Sequence, residues 1–275
     1  IITNIEKDHL GFWSTMDRLE AGFEVFASHV DGPVIFCADD PVTSRLAEIH
    51  PNAVTYGWAE DADYRVTNYR SGKSGSEFTL EVGGVVIGEL ALPLLGSHNA
   101  QNATAAAALT MSLGVSFEDV RSALAGFGGV SRRFQFRGER DGVTFVDDYA
   151  HLPSEIKATL RAAQEGGWRR IVAVFQPYRY LRTMLMWRDF ADAFEGVDHL
   201  VLTDVCGASE EPIPGVTGRL VLQAVLDAHP EMSVSYFPHR SELVSNVLRY
   251  AGPGDLVLTL GAGDLTTVPD DWVNG

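Results

Sequence analysis

The sequence is poor in cysteine, short of positive charge and without a long apolar run. Its 275 residues include two cysteines, Cys37 and Cys206, which are far apart and match no metal-binding spacing. Isolated cysteines of this kind are typical of proteins from the reducing cytoplasm, so we expect a cytoplasmic protein. The longest apolar stretches have the length of a strand, and the sequence therefore indicates no membrane-spanning helix.

The excess of negative charge limits the kinds of molecule that the protein can bind. Lys and Arg number 21 against 37 Asp and Glu, which gives a net charge of −16. This balance argues against nucleic acid or an anionic membrane as the main partner. It still allows an anionic small-molecule substrate, because a local cluster of arginines can oppose the global charge. The chain is long enough for one or two ordinary cores, and its length favours two domains, whereas nothing indicates an oligomeric state.

The first part of the chain predicts a mixture of helices and strands. "STMDRLEAGFEVFASH" has apolar residues on one helical face, with Ser14 as the predicted cap. Alternating segments within residues 53–92 suggest a small antiparallel meander. "SHNAQNATAAAALTMSLG" predicts an Ala-rich helix that stops at Gly114, and Ser116 is the predicted cap of a shorter helix after it.

The pattern changes at "GFGGVSRRFQF", and we predict a domain boundary near residue 130. Beyond it, apolar strand candidates alternate with helix candidates. The strand candidates are "GVTFVDDYA", "RRIVAVF", "DHLVLTDV", "SVSYF" and "GDLVLTL". Repeated βαβ units of this length predict an α/β fold with a mostly parallel, doubly wound sheet.

Polar clusters follow these strands, and in such sheets ligands lie beyond the carboxyl ends of the strands. Arg179 and Arg182 come directly after the strand "RRIVAVF", close to a helix expected to start near Thr183. Two guanidinium groups at this place suit a carboxylate or phosphate, which arginine binds with two parallel hydrogen bonds. The alternative is a pair of surface arginines in a net acidic protein.

Three further clusters are candidates for binding chemistry. The carboxylates and the imidazole of "DDYAHLP", which include Asp148 and His151, could orient a ribose, a metal ion or an amine, or simply cap the next helix. The loop "NIEKDH", which ends at His9, offers oxygen ligands for Mg²⁺ beside a less usual imidazole. Asn99 and Asn102 lie three apart at a helix start, where amides offer both donor and acceptor, as adenine requires.

Taken together, six stretches resemble the Mur ligases and occur in the order found in that family. They are "TNIEKDHL", "GSHNAQNATAA", "SRRFQFRG", "VDDYAHLPSEIKATL", "VFQPYRYLRT" and "LGAGDL". The resemblance extends over essentially the whole chain. The segment "QPYRYLRT" is similar to the branch of the family that adds L-alanine to UDP-N-acetylmuramate.

The resemblance implies a particular domain organisation. Residues 1–130 would be the C-terminal part of the central ATP-binding domain, and residues 131–275 the C-terminal Rossmann-like domain that binds the amino acid. The family's glycine-rich phosphate loop, which ends in Gly-Lys-Thr or Gly-Lys-Ser, does not occur in the sequence. We therefore expect a fragment that lacks the N-terminal domain and that loop, and that is inactive by itself.

The implied reaction is ATP-dependent amide bond formation between the carboxylate of UDP-N-acetylmuramate and the amine of L-alanine. It would proceed through an acyl phosphate, in the synthesis of peptidoglycan precursors, with ATP and Mg²⁺ as cofactors. Catalysis would rest on positioning and on neutralisation of charge. Two alternatives remain open: a related ligase for another amine or a recycled peptide, and a non-catalytic fragment that binds nucleotide or a partner.

The resemblance also implies which residues would hold the nucleotide and its metal. His9 would be a Mg²⁺ ligand, and Asn99 and Asn102 would read the adenine. Arg133 would touch the nucleotide near its ribose and phosphates, while Asp148 would hold the ribose. These roles come from matching motifs alone.

On the amino-acid side, the resemblance implies that His151, Arg179 and Arg182 face the incoming L-alanine. The two arginines would bind its carboxylate and direct its amine. The sequence departs from the family pattern beside them, at Leu152, Tyr178 and Leu181. Either the pocket is retuned, for example towards glycine or serine, or these positions tolerate change.

Overall fold

The computed structural model describes residues 1–274. The chain forms two compact units, the first spanning Ile1–Gly128 and the second beginning at Gly129. Each unit has a β-sheet of its own. Within the described residues, no helix combines the length and the apolar character needed to cross a membrane.

The first unit has five strands and five helices. The strands are β1 (Val34–Cys37), β2 (Ala53–Gly57), β3 (Tyr64–Gly72), β4 (Gly75–Val82) and β5 (Val85–Leu92). The helices are α1 (Leu10–Trp13), α2 (Met16–Ser28), α3 (Pro41–Ile49), α4 (Ser97–Ser112) and α5 (Phe117–Ala125). The strands follow each other across the sheet in chain order.

The predicted antiparallel meander is confirmed by β3, β4 and β5, and the strand before it, β2, was not part of that prediction. Strand β2 runs parallel to both β1 and β3. The reason is that α3 carries the chain back between β1 and β2, and a helical crossover of this kind joins parallel strands. Three half-buried residues are followed by two buried ones in β2, and this pattern does not show the direction of the strand.

One of the predicted helix-capping residues is wrong. Helix α2 is capped by Thr15, whose hydroxyl oxygen accepts a hydrogen bond from the backbone N–H of Arg18 at 3.3 Å. Ser14, the predicted cap, has a left-handed backbone with φ of 67° and lies one residue too early. The other two predictions are confirmed, because Gly114 follows α4 with φ of 92° and the hydroxyl of Ser116 caps α5.

Within its described residues, the second unit has six strands and five α-helices. The strands are β6 (Gln135–Arg140), β7 (Val143–Asp148), β8 (Ile171–Phe175), β9 (His199–Leu202), β10 (Val234–Tyr236) and β11 (Leu256–Leu260). The helices are α6 (Pro153–Glu165), α7 (Tyr180–Met186), α8 (Arg219–Ala228), α9 (Arg240–Asn246) and α10 (Val268–Asn274). The order across the sheet is β10-β9-β8-β11-β7-β6.

The sheet of the second unit confirms the predicted α/β fold class. Strands β7 to β11 are all parallel, and only β6 pairs antiparallel with its neighbour β7. Alternate residues of β8 pack into two separate cores. Phe175 packs with Phe194 on one face, whereas Val174 packs with Trp272 on the other. Helices therefore cover both faces, which explains the continuous apolar runs of these strands.

The parallel arrangement brings the ends of several strands to one edge. The loops after β7, β8, β9 and β11 all leave from the carboxyl ends of adjacent strands. The predicted polar clusters lie in these loops. The position of the clusters thus follows from the topology of the sheet.

Candidate functional site

Asp147, at the end of β7, has a buried carboxylate whose two oxygens both accept hydrogen bonds within the second unit. Its Oδ1 accepts a hydrogen bond from the hydroxyl of Thr259 at 2.7 Å, and its Oδ2 from that of Thr266 at 2.6 Å. The guanidinium of Arg132 lies against the same Oδ2, at 3.3 Å. Asp147 therefore connects β7 with β11 and the turn after it. Of the two carboxylates in "DDYAH", it is the structural one.

Arg132 is a residue that the sequence analysis missed. Its guanidinium donates hydrogen bonds to the carbonyl oxygens of the loop after β11, at 2.5 Å for Gly261 and 3.3 Å for Gly263. It also lies over the ring of Tyr149, with its Cζ 4.7 Å from the ring centre. Arg132 thus ties the loop after β11 to the loop after β7. The only signal in the sequence was the pair "RR" itself, which does not say which arginine points inward.

Arg133, the predicted nucleotide residue, points to solvent more than its neighbour does. Its side chain is 52% exposed, compared with 22% for Arg132. Its guanidinium lies 3.6 Å from the carboxylate of Glu155 and 5.5 Å from the centre of the Tyr149 ring. The predicted role of Arg133 towards a nucleotide needs this exposed position, and it stays a prediction.

Asp148 lies beside the same loops and is almost completely buried. Its carboxylate accepts hydrogen bonds from the backbone N–H of Phe134 at 2.7 Å and of Ala150 at 2.8 Å. Burial raises the pKa of Asp148 to about 6, although these two hydrogen bonds and Arg133 act in the opposite direction. To hold a ribose hydroxyl, as predicted, the carboxylate would have to use its remaining lone pairs.

His151 lies at the start of α6, where it is held by Glu155. The carboxylate of Glu155 accepts hydrogen bonds from the backbone N–H of His151 at 2.9 Å and of Leu152 at 3.1 Å. The ring Nδ1 of His151 lies 3.2 Å from the same carboxylate and 3.0 Å from the carbonyl oxygen of Tyr149. Glu155, which lies within α6, therefore caps the start of this helix. The alternative prediction, that Asp147 or Asp148 caps it, is wrong.

The two arginines after β8 flank the start of α7. This helix begins at Tyr180, so the expected start near Thr183 is wrong. Arg179 precedes the helix with a left-handed φ of 70°, and its backbone N–H donates to the carbonyl of Cys206 at 2.8 Å. Arg182 lies within the first turn, where its Nη1 donates to the carbonyl of Tyr178 at 3.4 Å.

Tyr178 lies between the three residues predicted to face the amino acid. The Cζ atoms of Arg179 and Arg182 lie 5.8 Å and 6.0 Å from the centre of its ring. The ring of His151 lies 5.9 Å away, edge to face. The structure thus brings His151 and both arginines together around one aromatic ring. Guanidinium groups of this kind can bind a small carboxylate.

Glu210, in the loop after β9, is a second residue that the sequence analysis missed. One of its oxygens lies 3.5 Å from Nη1 of Arg179. The other accepts a hydrogen bond from the backbone N–H of Leu181 at 3.1 Å. Glu210 therefore holds the arginine segment from the neighbouring loop. Its place after a parallel strand was the available signal, in the acidic stretch "SEEP".

The remaining predicted residues belong to the first unit. Asn99 lies in the first turn of α4, where its amide donates to the carbonyl of Leu95 at 2.7 Å, and Asn102 is exposed one turn further on. His9 lies directly before α1, with its side chain 70% exposed and its Nε2 3.3 Å from the carboxylate of Asp8. A carboxylate and an imidazole in this arrangement could both reach a divalent cation, although oxygen ligands alone are more usual for Mg²⁺.

Two family profiles match the chain. Residues 1–110 match the family described as the Mur ligase middle domain, and residues 132–263 match the Mur ligase, glutamate ligase domain. Together they include every residue discussed above as a candidate for binding.

Individual relatives agree with these matches. The chain is 45% identical to a UDP-N-acetylmuramate–L-alanine ligase from Anaeromyxobacter sp. (strain Fw109-5), over 97% of this chain and 58% of that protein. It is 43% identical to the enzyme of the same name from Salinibacter ruber, over 99% of this chain and 58% of the relative. The chain therefore spans less than two thirds of the length of these curated relatives.

Solved structures show the same architecture. The crystal structure of UDP-N-acetylmuramate-alanine ligase MurC from Thermotoga maritima superposes with a TM-score of 0.79 at 27% identity, covering 98% of this chain and 57% of that one. MurF ligase from Thermotoga maritima, solved in complex with ADP, shares the fold with a TM-score of 0.76 at 17% identity, covering 99% of this chain and 61% of that one. By its two matching domains, its relatives and its fold, the chain belongs to the Mur ligase family.

Proposed function

We propose that this chain takes part in ATP-dependent amide bond formation between the carboxylate of UDP-N-acetylmuramate and the amine of L-alanine. The observation that carries this proposal is the arrangement of His151, Arg179 and Arg182 around Tyr178, at the carboxyl edge of a parallel sheet. The names of the similar curated proteins point to the same substrates. The reaction would supply a precursor of peptidoglycan, and we place it in the cytoplasm, where ATP is available.

In this proposal residues 131–275 form the domain that binds the amino acid. Arg179 and Arg182 bind the carboxylate of L-alanine, because a guanidinium group matches a planar anion. The ring of His151 lies 5.9 Å from that of Tyr178, on the proposed amino-acid side of the site. The amine is thereby held in one orientation, and positioning of this kind is a large part of catalysis in group transfer.

Residues 1–130 form part of the domain that binds ATP. Asn99 and Asn102 offer amide groups to an adenine edge from the start of α4, where Asn102 is exposed and Asn99 half-buried. His9 would hold Mg²⁺ together with Asp8, and the ion, when bound, neutralises charge on phosphate oxygens. From residues 131–275, Arg133 and Asp148 complete the set proposed for the nucleotide, next to phosphates and ribose.

The test is the release of phosphate by the complete product of the gene, supplied with ATP, Mg²⁺ and UDP-N-acetylmuramate and a panel of amino acids. Release that requires L-alanine would support the proposal. Release with a different amine or a peptide would instead indicate a related ligase with another substrate. If no amine produced release, the protein would have to be regarded as a non-catalytic relative that binds nucleotide or a partner.

A further inference from the structure

Three side chains of the second unit that can ligate a metal ion lie close together outside the loops discussed above. They are those of Asp192, Glu195 and His229. One ligand atom of each residue lies within 4.8 Å of the ligand atoms of the other two. Two carboxylate oxygens and one imidazole nitrogen are a set of ligands that proteins use for divalent transition-metal ions.

This group lies at the edge of the sheet opposite to the loops that follow the parallel strands. Asp192 and Glu195 belong to the turn that leads into β9, and His229 ends α8, before the chain enters β10. These segments precede their strands, whereas His151 and the two arginines proposed to bind the amino acid follow theirs. A metal ion bound here would therefore use none of the residues proposed for Mg²⁺, ATP or the amino acid.

The hydrophobic core holds both segments in place. Phe194, which directly precedes Glu195, is fully buried and packs in the same core as Val225 of α8. The backbone N–H of His229 donates a hydrogen bond to the carbonyl of Val225 at 2.7 Å. The backbone positions of the three residues are therefore fixed, and only their side chains have to rotate in order to surround an ion.

The negative charge of this group is not balanced by a basic side chain. The Nε2 of His229 lies 2.8 Å from Oδ1 of Asp192, and among the described residues neither Asp192 nor Glu195 forms an ion pair with a lysine or arginine. Metal binding requires a neutral imidazole and ionised carboxylates. The three side chains then carry a charge of −2, which a divalent ion neutralises.

Glu231 adds an observation that is typical of histidines that bind metal ions. One of its oxygens lies 3.9 Å from Nδ1 of His229, and its side chain is 78% exposed. A histidine that binds a metal ion through one ring nitrogen usually donates the N–H of the other to a carboxylate or a carbonyl. A rotation of the exposed Glu231 side chain provides this acceptor, while Nε2 faces Asp192. The imidazole is thus oriented to bind an ion through Nε2.

We propose that Asp192, Glu195 and His229 bind Zn²⁺, with water as a fourth ligand. The imidazole argues against Mg²⁺ and Ca²⁺, which prefer oxygen ligands alone. Tetrahedral Zn²⁺ with bonds of about 2.0–2.2 Å needs ligand atoms about 3.3–3.6 Å apart, which the spacing within this group allows. The ion replaces the proton between His229 and Asp192 and joins the turn before β9 to the end of α8. This inference does not depend on the proposed ligase function.

The test is the binding of Zn²⁺ to the complete gene product, prepared without an affinity tag, stripped of metal with a chelator and kept in excess Mg²⁺. Calorimetric titration with ZnCl₂ is expected to show an ion that Mg²⁺ does not displace. His229→Ala is expected to lower the affinity for this ion about tenfold or more, since losing a residue that only orients a ligand already costs this much. Asp227→Asn removes an exposed carboxylate of α8 outside the group and is expected to leave the affinity unchanged.

Asp192→Asn and Glu195→Gln separate metal binding from folding. Both keep the shape of an exposed side chain and remove the charge that the ion requires, and the amide oxygen of Asp192→Asn still accepts a hydrogen bond from His229. Zn²⁺ at about 100 times its Kd is expected to raise the Tm of the unchanged protein by about 5–10 °C, and each of these variants is expected to lose most of this shift.

Two outcomes would overturn the inference. One is the absence of Zn²⁺ binding to the unchanged protein. The other is an affinity for Zn²⁺ that is the same in the variants as in the unchanged protein, which would place the bound ion elsewhere. If His229→Ala does not fold, as judged by circular dichroism, the two carboxylate variants decide.

Discussion

The carboxylate of Glu210 makes two contacts with the segment from Arg179 to Arg182. One oxygen lies 3.5 Å from Nη1 of Arg179, and the other accepts a hydrogen bond from the backbone N–H of Leu181 at 3.1 Å. Two loops that follow neighbouring parallel strands are joined in this way. The pair with Arg179 is half exposed and contributes little by its charge alone. The hydrogen bond to Leu181 sets the start of α7 and with it the position of both arginines.

We therefore expect Glu210→Ala to raise KM for the amino acid about fivefold, which corresponds to the loss of roughly 1 kcal/mol from one hydrogen bond. Glu210→Gln keeps an acceptor for the N–H of Leu181 and is expected to have a smaller effect. Steady-state kinetics of the complete gene product measure both values, with Glu211→Ala at the exposed neighbouring position as the control. A larger loss for Glu211→Ala than for Glu210→Ala would contradict this role.

Asp148 makes the stability of the second unit depend on pH. Burial raises its pKa to about 6 from an ordinary value of 3.8. A carboxyl whose pKa is raised on folding stabilises the folded state fully below the lower of these values, and this contribution is lost as the pH rises through the higher one. The span of about two pH units corresponds to a free energy of roughly 3 kcal/mol.

We expect the free energy of unfolding of Asp148→Asn to increase relative to that of the unchanged chain as the pH rises from about 4 to about 6, the span that follows from the raised pKa. Urea unfolding at several pH values measures this difference. Asp141→Asn removes an exposed carboxylate and should show no such trend. A difference for Asp148→Asn that is constant over this pH span would contradict the raised pKa.

Arg132 and Arg133 provide a comparison of two adjacent arginines. Removing Arg132 takes away the nearer of two cations against the buried Asp147, the other being Arg137, and the donor to the carbonyls of Gly261 and Gly263. Loss of one partner from a buried ion pair costs about 3 kcal/mol, whereas an exposed pair contributes at most about 1 kcal/mol. We therefore expect Arg132→Ala to lower the free energy of unfolding by about 3 kcal/mol and Arg133→Ala by less than about 1 kcal/mol.

Urea unfolding of both variants tests this expectation at neutral pH. Arg132→Lys serves as a further comparison, since it keeps the charge and loses the planar group that reaches several carbonyls at once. Equal losses for Arg132→Ala and Arg133→Ala would show that the buried side chain contributes no more than the exposed one.

The cap of α2 allows a similar test with two adjacent residues. Thr15 accepts the hydrogen bond from Arg18, while Ser14 precedes it with a left-handed backbone. Thr15→Ala is expected to lower the free energy of unfolding by about 1 kcal/mol, a typical cost for the loss of an N-cap. Ser14→Gly is the comparison, and it should be neutral or slightly stabilising because glycine adopts this backbone without strain. Chemical unfolding would contradict the assignment if Ser14→Gly proved the more destabilising change.

Much of the second unit could be predicted from local patterns. Runs such as "IVAVF" and "LVLTL" are apolar at every position because the strands are covered on both faces, and helix patterns separate them. The residues of β6, "QFRGER", carry no such signal, since an edge strand is half exposed to solvent. Its pairing with β7 is visible only in the structure. The start of α7 at Tyr180 was missed because the hydrogen bond from Leu181 to Glu210 comes from a distant loop.

The sequence by itself determined the alternation of strands and helices, and hence the edge at which the polar loops meet, because parallel strands bring their carboxyl ends together. It also placed Arg179, Arg182 and His151 at that edge, with Arg182 in the first turn of α7. Only the tertiary structure decided which residue of two adjacent aspartates or arginines makes buried contacts and which remains available to a ligand. Both carboxylate oxygens of Asp147 accept hydrogen bonds from Thr259 and Thr266. Arg132 points inward, whereas Arg133 points outward. Such choices depend on contacts between residues more than a hundred positions apart in the chain, which no local pattern records.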